Sequence, residues 1–213
     1  NARAARNFFG VSGAGVKIGV LSDGVNFLAQ SIASGNLPAD VTVLPGQSGP
    51  PGGAEGTAML EIVHDLAPGA KLFFATAFNG IQSFADNIRA LRAAGCDIIV
   101  DDTIYFAESP FHDDVVSTAV NEVIADGALY FSSAGNEGNV NDGTSGTWEG
   151  DFKNSRTTLP GLPGGTLHDF GNGVISNRVE ASSPNVLTLH WSDPLGASDN
   201  DYDFFILDNT LTT

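Results

Sequence analysis

The run Ala54-Glu55-Gly56-Thr57-Ala58-Met59-Leu60-Glu61-Ile62-Val63-His64-Asp65-Leu66-Ala67-Pro68-Gly69-Ala70, followed at once by Lys71-Leu72-Phe73-Phe74-Ala75-Thr76-Ala77, decides the fold class. Its first part reads as a helix to about Leu66, which Ala67-Pro68-Gly69 then stops, because proline offers no N–H to continue the ladder. The second part is apolar and aromatic throughout, as a strand buried on both faces must be. A helix passing through a tight stop into such a strand is half of a parallel strand-helix-strand unit. Upstream, Pro45-Gly46-Gln47-Ser48-Gly49-Pro50-Pro51-Gly52-Gly53 is too rich in proline and glycine for regular structure and must be the loop that delivers the chain to Glu55.

Working outward, the same alternation continues. Val16 to Leu21 reads as a buried strand ending in the turn Ser22-Asp23-Gly24, Val25 to Ile32 as a short helix stopped near Gly35, and Val41 to Leu44 as a second strand. Ile81, Phe84, Ala85, Ile88 and Leu91 recur at helical spacing before Gly95. Ile98 to Val100, Asp114 to Ala125 and Ala128 to Ser132 complete a strand, a helix and a strand. The pattern predicts an α/β fold with a doubly wound parallel sheet and helices on both faces over residues 1–138. From Asn139 onward helical periodicity is lost. Val186 to Trp191 and Tyr202 to Leu207 read as antiparallel strands, so residues 139–213 are expected to form a β-rich, sandwich-like insertion or second unit.

Composition narrows the partners. The 213 residues are 42% hydrophobic, enough to bury a core, and carry 9 Lys and Arg against 25 Asp and Glu, a formal charge of −16. That field repels phosphate backbones and anionic headgroups, so neither nucleic acid nor membrane is the expected partner. No apolar run approaches the roughly 20 residues of a membrane span. The lone Cys96 excludes an intrachain disulfide and reads as a small buried hydrophobe. The acidic, Lys-poor, Gly- and Asn-rich composition, with no signal-peptide pattern ahead of Asn7-Phe8-Phe9, fits a mature bacterial secreted protein.

Three motifs then fall in order: a strand ending in Asp23-Gly24, Glu55-Gly56-Thr57 opening a helix, and Ser133-Ala134-Gly135-Asn136-Glu137-Gly138 after a strand. Over about Gly15 to Gly138 this set resembles the subtilisin-type serine peptidases, with Glu55 where the family carries His. The segment Leu66-Ala67-Pro68-Gly69-Ala70 also resembles that of the sedolisins, relatives with a Ser-Glu-Asp triad, in which it begins eleven residues after the catalytic Glu; counting back from Leu66 gives Glu55. The sedolisin Asp one turn further along falls on Met59, so the orienting acid is expected at Asp23. In strict register Ser22 takes that position, and a one-residue bulge restores Asp23.

The resemblance implies a serine endopeptidase acting on peptide or protein substrates, with Glu55 as base, Asp23 orienting it and Asn136 donating to the oxyanion. Asp102, Thr103, Ile104, Ser133 and Gly135 would contact substrate, although Asp102-Thr103-Ile104-Tyr105 stands where the family has Ser-Leu-Gly-Gly. A carboxylate titrating near about 4.3 is a weak base toward serine at neutral pH, which implies an acid-leaning optimum. The Gly-Thr-Ser-Met-Ala nucleophile motif is absent, and Gly143-Thr144-Ser145 comes too soon after Asn136. These residues are therefore expected to be the N-terminal part of a longer protein, inactive alone, whose serine lies beyond Thr213 or on a second fragment. The competing readings are a non-catalytic scaffold or peptide-binding module, and a hydrolase using Asp23 and Glu55 without serine. No cofactor is required by the chemistry. Asp199, Asp201 and Asp203 alternate onto one strand face and are candidate Ca²⁺ ligands. Glu61 and His64 are expected on a solvated helix face, and Trp148, Trp191 and Tyr202 in core packing.

Overall fold

In the computed structural model, which describes residues 2–162, 165–179 and 186–211, the chain divides into two compact units, Asn1–Gly135 and Asn136–Thr213. The first contains α1 (Ala2–Phe9), β1 (Lys17–Ser22), α2 (Leu28–Ser34), β2 (Thr42–Val43), α3 (Glu55–Leu66), β3 (Lys71–Thr76), α4 (Ile81–Ala93), β4 (Ile98–Asp101), α5 (Val115–Ala125) and β5 (Leu129–Ser132). The five strands are parallel in the order β2-β3-β1-β4-β5.

Strand alternation sorts the apolar side chains onto two faces. Ile18, Val20, Leu72 and Phe74 point to one side, where they pack with Leu60 of α3 and with Leu28 and Ile32 of α2. Leu21, Ala75 and Ile99 point to the other, against Phe84, Ile88 and Leu91 of α4 and Val116, Ala119 and Val123 of α5. Both faces are covered, so this is the doubly wound α/β arrangement that the sequence pattern implies. Phe74 is fully buried, and burial of a ring this size contributes about 1.5–3 kcal/mol. Cys96 is buried in the α4–α5 face, and burial pushes its thiol up to about 12.

Two local features fix α3 in place, one at each end. Gly56 packs so tightly on β3 that a Cβ there would lie 2.3 Å from the Phe74 ring and 2.6 Å from the Gly24 carbonyl oxygen, so α3 can approach the sheet only with glycine at that position. At the other end stands α1, a helix that no apolar periodicity announces and that buries none of its side chains. Its Arg6 guanidinium donates to the Asp65 and Leu66 carbonyls at 2.6 and 3.1 Å, satisfying acceptors at the C-terminus of α3. Midway along α3, Glu61 accepts from the Ser31 hydroxyl and thereby ties α3 to α2.

The second unit is irregular. Its described residues hold one isolated antiparallel bridge, Asn154 to His168, and neither 186–191 nor 202–207 forms a strand. Those segments carry strand-like side chains, but a strand exists only where a neighbour takes its N–H and C=O groups, and no ladder forms there. Rings organise the unit instead. Trp191 meets Tyr202 at 5.5 Å, Tyr202 meets Phe152 at 5.3 Å, and His168 lies 4.6 Å from both Trp148 and Phe170. A loop closes on Asp193, whose carboxylate accepts from the Ser198 hydroxyl, the Asn200 side-chain amide and the backbone N–H groups of Asp199 and Asn200.

Candidate functional site

The chain runs from β1 outward to β2, returns through β3, and then crosses to β4 and β5 on the other side of β1. The reversal lies between β1 and β4, the position at which open α/β sheets as a class bind ligands beyond the C-terminal strand ends. Ser22, Asp23, Glu55 and Asp102 all belong to this edge.

Asp23 follows β1 directly. Its Oδ1 accepts from the backbone N–H of Gly24, from that of Glu55 at 3.0 Å and from that of Gly56 at 3.2 Å. The residue ahead of α3, Ala54, has no side-chain oxygen to offer, so an acid distant in sequence caps the helix. The helix dipole favours negative charge at that end. The neighbouring backbone is clamped as well: Thr76 Oγ1 donates to the Asp23 carbonyl at 2.7 Å, Thr57 Oγ1 to the Asn26 carbonyl at 2.8 Å, and Asn26 N–H to the Gly53 carbonyl at 2.8 Å. At Gly49, with φ of 84°, a Cβ would lie 2.1 Å from the Asp23 carbonyl oxygen, which is how the glycine-rich loop closes over this turn. Glu55 is thus the first residue of a helix held at its backbone, with its own side chain exposed.

Across the β1–β4 junction, Ser22 is fully buried and its hydroxyl donates to Asp102 Oδ2 at 3.2 Å. These two residues lie one step past the paired positions Leu21 and Asp101. The Asp102 carboxyl is pushed up to about 6, first by burial and then by the negative charges of Glu55 and Asp101, with the Ser22 hydrogen bond acting against the rise. Asp101 is buried and also raised by burial, against the opposing effect of donation from the Tyr130 hydroxyl, the Thr103 N–H and the Ser132 hydroxyl. Burial and the Asp101 charge in turn raise the Tyr130 phenol.

Of the residues expected to act together, Asp23, Glu55 and Asp102 do gather at this edge. Thr103 and Ile104 instead line a cleft of about 280 Å³ with Phe78, Gly80 and Tyr105. Tyr105 is held there by donation to the Ala77 carbonyl and by stacking on Phe84 at 5.8 Å. Phe78 and Gly80 belong to no motif in the sequence, although an aromatic residue just past a strand and a glycine just ahead of a helix mark the mouth of a βα loop. Ser133 and Gly135 are exposed in the segment after β5, the Ser133 N–H extending the ladder by donation to the Asp101 carbonyl. Asn136 opens the second unit, exposed, with its N–H donated to Glu137 Oε2 at 2.7 Å. Among the described residues no three His, Cys, Asp or Glu side chains are grouped to hold a metal ion, and Asp199, Asp201 and Asp203 form no such group. No described helix is long and apolar enough to cross a membrane.

No family model matches the chain, and neither does any curated protein. Solved structures similar to it include the prenylagaramide maturation protease PagA (19% identity over 62% of this chain and 50% of that one, TM-score 0.49), the PatG macrocyclase in complex with peptide (15%, 62% and 55%, 0.43) and the self-cleaved protease domain of PatA (21%, 60% and 52%, 0.41). The chain spans about half the length of each of these structures. Likeness this slight carries none of the site's chemistry, which rests on the chain's own residues.

Proposed function

We propose that this chain is the base-bearing part of a serine endopeptidase of the subtilisin and sedolisin type, with Glu55 as general base. The observation that supports it best is the Asp23 cap, which ties Glu55 to the end of β1 at the C-terminal edge of the sheet. A catalytic base must be held in position before its proton affinity matters, and the two backbone N–H groups of Glu55 and Gly56, both donated to one Asp23 oxygen, hold the start of the helix that carries it. Asp23 orients Glu55 through the backbone, and the Asn136 amide serves as oxyanion donor in the motif Ser133 to Gly138. The nucleophilic serine comes from outside these 213 residues. The substrate is a peptide or protein, with one apolar side chain in the cleft of Phe78, Thr103, Ile104 and Tyr105. An acid-leaning optimum follows from a carboxylate base.

The test is labelling of the intact protein with a serine-directed phosphonate below neutral pH, with Glu55→Gln as control. Labelling that disappears in Glu55→Gln supports the assignment. Labelling that persists unchanged, or a neutral optimum indifferent to the substitution, removes Glu55 from the base role.

A further inference from the structure

We propose that Thr76 and Asp101, the buried last residues of β3 and β4, are positioning residues that set the two walls of the cleft and so its fit to an apolar side chain. The proposal rests on the reading of that cleft as a substrate site and adds to it two residues that act through its walls. β3 and β4 flank β1 on either side. The cleft is lined by the segments that leave them, Phe78 and Gly80 after β3, and Thr103, Ile104 and Tyr105 after β4. Such segments have no ladder to hold them, so their direction must be fixed at the strand end.

Both strands end on the same device. Thr76 is fully buried, and its Oγ1 accepts from the Phe78 N–H at 3.1 Å while donating to the Asp23 carbonyl at 2.7 Å. Asp101 is 3% exposed, and its Oδ1 accepts from the Thr103 N–H at 3.1 Å. Each is a bond from side chain to backbone across two positions, the local turn that Thr and Asp form in place of a continuing strand. Phe78 and Thr103, the first wall residue on each side, are the ones so held. The anchors are themselves tied down. Ser132 and Tyr130 of β5 donate to the two Asp101 oxygens, and the Asn87 amide of α4 donates to the Thr76 carbonyl at 2.8 Å. The two walls are then joined, because the Tyr105 hydroxyl donates to the Ala77 carbonyl. Thr103 shows where the control lies. Its hydroxyl is enclosed and has no hydrogen-bond partner, an unfavourable state for a polar group, so its place is dictated at the backbone by Asp101 and not by its own side chain. Walls fixed before anything enters lose little freedom on filling, so selectivity between a large and a small apolar side chain depends on both anchors.

The test titrates N-acetylphenylalaninamide and N-acetylalaninamide into the 213-residue chain and follows the Ile104 methyl and Tyr105 ring signals by NMR. The wild type prefers the Phe probe by about tenfold. Asp101→Asn keeps an acceptor oxygen for the Thr103 N–H and retains the preference; Asp101→Ala loses it, and the Thr103 amide then exchanges faster with solvent. Tyr130→Phe lowers stability through the same carboxylate but leaves the Thr103 N–H bonded, so it retains the preference, which separates positioning from general destabilisation. On the other wall Thr76→Ser retains it and Thr76→Val loses it. A preference unchanged in Asp101→Ala and Thr76→Val overturns the proposal, as does its loss in Tyr130→Phe or a Thr103 amide equally protected with and without the Asp101 carboxylate. A wild type that does not distinguish the probes sinks the reading of the cleft as a substrate site instead, and the amide exchange still decides whether Asp101 holds the wall.

Discussion

Asp102, past the end of β4 in the first unit, and Asp193, in a loop of the second, are both aspartates with acidic neighbours, yet their carboxyls are driven in opposite directions. Asp102 is half-buried, and burial first, then the charges of Glu55 and Asp101, push it up to about 6 against the pull of its one hydroxyl donor, Ser22. Asp193, on a loop and also only part-exposed, accepts from Asn200, Ser198 and Asp199, which pull it down to about 2. The difference is one of donors against desolvation: a carboxylate given enough N–H and O–H groups is kept ionised, and one placed out of water beside other charges keeps its proton. The donor-rich environment builds a loop. The more enclosed one holds a carboxyl above its ordinary range.

The comparison breaks most visibly at Glu55. Glu55→Gln removes the charge facing Asp102 together with the proposed base, and kcat/KM of the full-length protein is expected to fall by about 10²- to 10⁴-fold, measured with a peptide substrate at pH 5. Next is Gly56→Ala, which pushes a methyl group against Phe74 and the Gly24 carbonyl. It should cost about 1–3 kcal/mol by urea unfolding and also loosen the hydrogen bonds from Glu55 and Gly56 to Asp23. Asp101→Ala leaves the Tyr130 hydroxyl without its acceptor and should cost about 1–3 kcal/mol on the same measure. An unchanged midpoint would mean that Tyr130 finds another acceptor.

Asp193 sharpens the contrast at the small end. Its depressed pKa means that the interactions of its carboxylate are fully present above the ordinary carboxylate value and are lost as pH falls toward about 2. Amide exchange at Asn200 should therefore accelerate as pH drops below about 4, relative to its intrinsic rate. Asp193→Asn should accelerate it at every pH while leaving the unfolding midpoint of the first unit in place. Fast exchange in the wild type at neutral pH would contradict the ordered loop.

The elements of the first unit are legible in the sequence because their signals are local. Apolar runs such as Lys71 to Thr76 and the helical spacing of Phe84, Ile88 and Leu91 report burial wherever the chain goes. Helix α1 is not legible, because it buries nothing and its tie to α3 runs through Arg6 to carbonyls about sixty positions away. The strands expected at 186–191 and 202–207 rest on composition alone. β-propensity describes a surface that suits a sheet, and the sheet itself needs a partner strand. The site divides in the same way. Glu55 can be picked out from its neighbours in the chain, whereas the partners of Ser22 and Asp23 cannot: Asp23 accepts from the N–H groups at the start of α3, and Ser22 donates to Asp102.

What the sequence determined by itself is an α/β chain with Glu55 at the head of a helix between two strands, because helix stops, apolar runs and turn residues act over a few positions. What only the tertiary structure decided is the company each acid keeps. Asp23 meets Glu55 across 32 positions and Ser22 meets Asp102 across 80, contacts created by parallel strands whose neighbours in space are distant in the chain. The protonation of a carboxyl depends on those neighbours, so its chemistry appears only once the sheet has brought them together.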